Sequence, residues 1–167
     1  NLLSTLHHSD GSIAVEGFLD GIVAPSEEEL AAANEGFKSL EALREDIGTE
    51  PCGGNVKQPL VVRNGFEPTI EINGIHSGYG GPGSKTVIPC EAIAKISTRL
   101  VSGQNPHASY EAIRKHLERH VPSGMKVEIL EQSGLSSALR LALTSPIFNL
   151  ASGILSEMDE RGAVFVW

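Results

Sequence analysis

The chain has 167 residues, 40% of them hydrophobic, and sets 21 acidic side chains against 13 Lys and Arg, a formal charge of −8. That length builds one domain with a real core, and the acidic balance excludes a nucleic-acid surface, which needs a basic face to neutralise phosphates. No apolar run approaches the roughly 20 residues that cross a bilayer, so no membrane span is expected. Asn1 to His8 is apolar on one side and reads as the tail of a helix, His7 to Asp10 as a polar turn, and Ser12 to Phe18 as a short strand. Ser26 with Glu29 three residues later is a capping box, and acidic residues fill the positive first turn. Leu30, Ala33, Phe37, Leu40, Leu43 and Ile47 continue at helical spacing, which predicts one amphipathic helix. Gly48 to Gln58, punctuated by Pro51 and Gly53-Gly54, is a loop with room to move.

The second half is ordered more plainly. Thr69 to Ile75 and Ala92 to Val101 are predicted strands. Between them lie four glycines and two prolines in the twelve residues Gly78 to Pro89, a density only a shaped loop tolerates. Asn105 caps a helix with Pro106 at its first position, and Ile113, Leu117 and Val121 face inward. Pro122-Ser123-Gly124 turns the chain into a predicted strand from Met125 to Leu130. Ser145-Pro146 opens a last helix, with Ile147, Leu150, Ala151, Ile154, Leu155 and Met158 on its apolar side and Gly162 as its stop. Val164 to Trp167 reads as the start of a buried strand. The pattern is α+β: a ferredoxin-like two-layer sandwich, one antiparallel sheet with helices on one face. The chain opens without an initiator Met and closes on an apolar run, from which we expect a segment of a longer polypeptide.

Alternation along the second strand divides its residues by face. Ala92, Ala94, Ile96, Thr98 and Leu100 are expected on the helices; Ile93, Lys95, Ser97, Arg99 and Val101 take the open face. Arg99 there is either a solvated arginine pairing with Glu71 or Glu128, or a planar fork presented to a carboxylate.

The run "NGIHSGYGGPGSKTVIPCEAIAKISTRLV", residues 73–101, resembles the loop and strand in the lid of the aminoacylase/carnosinase/glutamate carboxypeptidase family (peptidase family M20), two-metal amidohydrolases and exopeptidases. Asn1 to Glu29 resembles the opening of that lid in the carnosinase-like dipeptidase branch. The long excursion over residues 26–60 is similar to that branch's larger lids. The resemblance implies that residues 1–167 are a single lid and dimerisation domain, lacking the family's first lid strand. It implies a homodimer through the lid and a dipeptide or N-acyl amino acid substrate whose carboxylate is bound by Arg99, with Thr86 reaching the same site. It implies two divalent ions, zinc or manganese, in a parent enzyme, and no catalytic residue or metal ligand in this segment. The family's lid histidine, which serves the partner subunit's site, falls upstream of residue 1. His76-Ser77-Gly78 mimics its neighbourhood and would make His76 the functional histidine, but the continuation through Lys85-Thr86-Val87-Ile88-Pro89 fits the substrate loop instead.

Other chemistry is thin. His116 and His120 share a helix face, but Leu117, Glu118 and Arg119 between them do not make a zinc-protease HExxH, and no third ligand is evident; a wet amphipathic face is expected. Cys52 and Cys90 form no disulfide framework, which places the chain in a reducing compartment, the cytoplasm, with either thiol a candidate small buried hydrophobe. The expected function is positioning of a substrate carboxylate for amide hydrolysis by a catalytic domain outside this chain. The competing expectation is a stand-alone ferredoxin-like regulatory or binding module.

Overall fold

The computed structural model describes residues 1–130 and 133–158. A 3-10 turn at Leu3–Leu6 is followed by α1 (Glu27–Gly36), α2 (Leu40–Ile47), α3 (Leu60–Gly65), β1 (Thr69–Ser77), β2 (Ala92–Arg99), α4 (Pro106–His120) and α5 (Pro146–Met158). β1 and β2 pair antiparallel as a two-stranded sheet. The class is α+β, as the sequence pattern predicts.

Leu6 and Phe18, both fully buried, form the main core with Val15, Ile70 and Leu117; Ile96, Leu100 and Ile113 pack against it. That core lies between the inner half of the sheet, the inward side of α4 and the first eighteen residues. Gln104 locks these parts together. Its Nε2 donates to the Phe18 carbonyl at 2.6 Å, and its Oε1 accepts from the Val101 N–H at 2.9 Å. Beside it the chain crosses itself closely: a Cβ on Gly103, whose φ is +94°, would stand 2.0 Å from the Gly21 carbonyl oxygen. Only glycine fits there.

The excursion builds a second, smaller core from Ala33, Val61 and Phe66, with Leu30, Phe37 and Val62 around it. The capping box forms as predicted, Glu29 N–H donating to Ser26 Oγ at 3.1 Å and Ser26 N–H to Glu29 Oε2 at 2.7 Å. The single predicted helix is broken, however. It stops at Gly36, a poor helix former, and restarts where Ser39 Oγ accepts from Ala42 N–H at 3.2 Å. Glu29 also meets Arg140 Nε at 3.3 Å, tying the chain beyond α4 to the root of α1. The loop after α2 is pinned rather than loose: Asp10 pairs with Lys57 at 2.7 Å, and Arg63 Nη1 donates to the Pro51 and Gly53 carbonyls at 3.1 and 2.6 Å. The Lys57 ammonium and the Ser12 hydroxyl and N–H hold the Asp10 carboxyl well below the usual carboxylate range.

Several predicted elements do not form. Asn1 to His8 contributes only the 3-10 turn, and Ser12 to Phe18 only an isolated bridge between His7 and Ile13. Met125 to Leu130 has no strand ladder among the described residues, although Val127 touches the core. A strand exists only where a neighbour accepts its hydrogen bonds. α5 forms as predicted, but its stripe is open to solvent, with Ile147, Leu150 and Ile154 at 64%, 65% and 50% exposure. The predicted stop at Gly162 and strand from Val164 to Trp167 lie outside the described residues.

Candidate functional site

The register fixes what the open face of the sheet presents. Thr69 faces Arg99, Glu71 faces Ser97, Gly74 faces Lys95 and His76 faces Ile93, with Asn73 as the extra residue of a bulge between Ile72 and Gly74. On the opposite face Ile70 pairs with Thr98 and Ile72 with Ile96; Ile70 and Ile96 join the core, whereas Ile72 and Thr98 are exposed, Thr98 against the expectation that it packs on the helices. Only the inner half of the hairpin is covered. Beyond the bulge Ala92, Ala94 and Ile75 are exposed, Ile75 at 65%, so the two alanines do not pack on helices as the alternation alone predicts. The hairpin has outrun the helix behind it.

Arg99 ends β2, exposed, on this open face. Among the described residues its guanidinium has no ion pair. Glu71, a candidate partner from sequence, instead accepts from Thr69 Oγ1 at 3.3 Å. Lys95 stands on the same face with no ion pair among the described residues, and between the two cations the Asn73 amide donates to Ser97 Oγ at 2.9 Å. Among the described residues the face therefore offers two cations without ion pairs, separated by a satisfied polar pair. A planar carboxylate is the ligand that such a fork grips best.

Thr86 belongs to the segment joining the strands, at the other end of the hairpin. Its neighbours Lys85 and Val87 line a cleft of about 310 Å³ with His76, Tyr79, Cys90 and Ile93. The loop is shaped from within. Tyr79 Oη donates to the Pro82 carbonyl at 3.1 Å, and Lys85 Nζ lies 5.5 Å from the centre of the Tyr79 ring. Gly81 makes room for that ring: a Cβ there would stand 2.4 Å from the phenol oxygen. This Tyr79–Lys85 brace was not foreseen, although the glycine pair beside a tyrosine is its sequence signal. Arg99 lies six residue steps along β2 from Ile93, about 20 Å at roughly 3.3 Å per step. The cleft that Lys85 and Val87 line includes neither Thr86 nor Arg99.

Two other expectations change. His116 is 7% exposed, not wet, and its Nε2 lies 2.9 Å from Thr5 Oγ1. It is packed rather than solvated, and no group of three or more His, Cys, Asp or Glu among the described residues is arranged to hold a metal ion. Cys52 and Cys90 are both exposed rather than buried, and both are free. No helix among the described residues is long and apolar enough to cross a membrane.

Residues 2–125, from the 3-10 turn through α4, match the peptidase dimerisation domain of M20 enzymes. The human Beta-Ala-His dipeptidase is 34% identical over 120 residues, covering 72% of this chain and 23% of that protein. The Saccharomyces cerevisiae Cys-Gly metallodipeptidase DUG1 is 28% identical over 118 residues, 70% of this chain and 24% of its own length. Among solved structures, the M20 family metallo-carboxypeptidase Sso-CP2 from Sulfolobus solfataricus superposes with a TM-score of 0.77 at 30% identity, over 91% of this chain and 39% of that one. Human carnosine dipeptidase 1 gives 0.61 at 33% identity, over 71% and 25%. The chain thus spans about a quarter of the curated relatives it matches. On the family match and these likenesses together, the chain belongs to the peptidase dimerisation domain family of the M20 metallopeptidases.

Proposed function

We propose that this chain is the lid and dimerisation domain of a two-metal dipeptidase or amidohydrolase, and that Arg99 holds the substrate's carboxylate during amide hydrolysis. The observation that carries the reading is Arg99 itself, without an ion pair among the described residues, on the open sheet face of a peptidase dimerisation domain. The planar fork of a guanidinium is pre-organised, so a bidentate grip fixes the far end of the substrate with less entropy lost per hydrogen bond formed. The described residues do not fit a metal pair, so the zinc or manganese ions of this proposal belong to a catalytic part elsewhere in the parent. The substrate class is a dipeptide or an N-acyl amino acid, each ending in a free carboxylate. The exposed free thiols Cys52 and Cys90 fit a reducing compartment, the cytoplasm.

Geometry adds a condition. With Arg99 and the loop carrying Thr86 at opposite ends of the hairpin, one lid does not close both on a single dipeptide unless residues 78–91 fold back along the sheet. In the proposed dimer the two ends serve different substrates, Arg99 one site and the Thr86 loop another.

Two outcomes test the proposal as a whole. The 167-residue chain should hold no stoichiometric zinc or manganese after dialysis and hydrolyse no dipeptide; a bound metal pair with peptidase activity would overturn the lid assignment. The chain should also run as a homodimer in light scattering, because among the described residues β1 and β2 each offer an unpaired edge beside the exposed Ile72, Ile75 and Ile93. A monomer at high micromolar concentration would remove dimerisation through this domain.

A further inference from the structure

Away from the sheet, α4 carries two imidazoles in an arrangement that substrate binding does not use. His116 stacks on His120 with ring centroids 4.1 Å apart and planes inclined by 25°. Thr5 commits its hydroxyl proton to the Leu2 carbonyl at 2.7 Å. Its oxygen therefore accepts from His116 Nε2, 2.9 Å away, and the neutral ring keeps its proton on that nitrogen. His120 Nδ1 lies 2.8 Å from the His116 carbonyl, which only accepts, so His120 holds its proton on Nδ1 and takes a second at Nε2. The Thr5 contact ties the 3-10 turn to α4 immediately beside the fully buried Leu6.

No carboxylate among these neighbours is free to stabilise a second positive charge. Arg119 is paired with Glu16 at 2.7 Å, and Arg114 is held by Glu111 at 2.8 Å and Glu118 at 2.5 Å. Lys115 is exposed on α4, and from the first eighteen residues the group in contact, Thr5, is uncharged; His7 and His8 lie in the following turn, where Asp10 is taken by Lys57. Burial holds His116 below the usual histidine value, with His120 and then Arg119 acting in the same direction, while the Thr5 backbone opposes them.

We propose that the stacked His116–His120 pair is an acid-sensitive latch, which holds the Leu3–Leu6 turn on α4 while neutral and releases it when both rings are protonated. One proton of the doubly charged pair sits on exposed His120, at the end of α4. The second falls on a buried ring one stacking distance from that cation, and both burial and repulsion oppose it. The closed latch therefore binds protons less readily than the open one. Its hold is complete above the ordinary histidine pKa of about 6.5 and weakens as pH falls below it.

Amide exchange on the whole chain, corrected for intrinsic rates, tests this at about pH 7.5 and about pH 5. Opening of residues 3–6 should rise about tenfold at the lower pH while the β1–β2 ladder is unaffected. His116→Gln, which keeps a donor toward Thr5 but cannot titrate, should abolish the difference. If that variant folds poorly, His120→Ala gives a second readout: by NMR the His116 titration should move upward once the stacked cation is gone. Equal pH independence in the wild type, or a wild-type His116 titrating at or above the ordinary value, overturns the latch.

Discussion

Phe18→Ala should cost about 3–5 kcal/mol of stability, read as a fall in the denaturant midpoint at unchanged slope. Phe18 is fully buried in the main core, and its backbone carbonyl takes the Gln104 amide that clamps the end of β2. Truncation removes the ring from water-free packing and leaves a cavity beside Leu6 and Leu117. A single domain holds only about 5–15 kcal/mol in all, so the variant stands at the edge of folding. Ile88→Ala is the control. Ile88 is as large an aliphatic side chain but 94% exposed, and its loss should move stability by less than about 0.5 kcal/mol. Similar losses in the two variants would show that the core is not where the structure places it.

What the sequence revealed and what it hid divide along the range of the interactions. The Ser26–Glu29 capping box and the Asn105 cap with Pro106 behind it are complete within four residues, and both form as read. The face of Arg99 was equally legible, because strand alternation needs no partner to be counted. The break at Gly36 to Ser39 was hidden: apolar spacing runs through it, and a serine inside a helical pattern becomes a cap only once the chain has turned. Met125 to Leu130 has strand composition but no ladder among the described residues, because pairing is decided far away in the chain. His116 looked wet because the residue that satisfies it, Thr5, is 111 positions upstream. That Thr86 lies in the connection and Arg99 at the last rung of β2 was legible too, because both follow from the strand limits. The bulge at Asn73, which sets where Lys95 and His76 fall on the open face, carried no signal beyond Asn-Gly.

Arg99→Ala, made in the complete enzyme, should reduce kcat/KM on carboxylate substrates by at least about tenfold, and by 10²-fold if amide positioning is lost as well. A charge-assisted hydrogen bond to a carboxylate is worth about 1.5–3 kcal/mol, and misplacing the reacting amide adds to that loss. The fold should be untouched, because the side chain lies on the open face and takes no part in either core. Thermal unfolding should therefore match the wild type, with a stability change under about 1 kcal/mol. Arg99→Lys should recover part of the loss, since an ammonium supplies the charge without the planar fork.

The most direct test crosses that substitution with the substrate's own charge. In the complete enzyme, kcat/KM is compared for a dipeptide and for the same dipeptide with its terminal carboxylate converted to an amide, in wild type and in Arg99→Ala. If Arg99 grips the carboxylate, the wild type should discriminate strongly against the amide and the variant should barely discriminate, so that the two losses do not add. Full additivity, with Arg99→Ala slowing both substrates by the same factor or neither, would contradict the assignment of Arg99 to the substrate carboxylate.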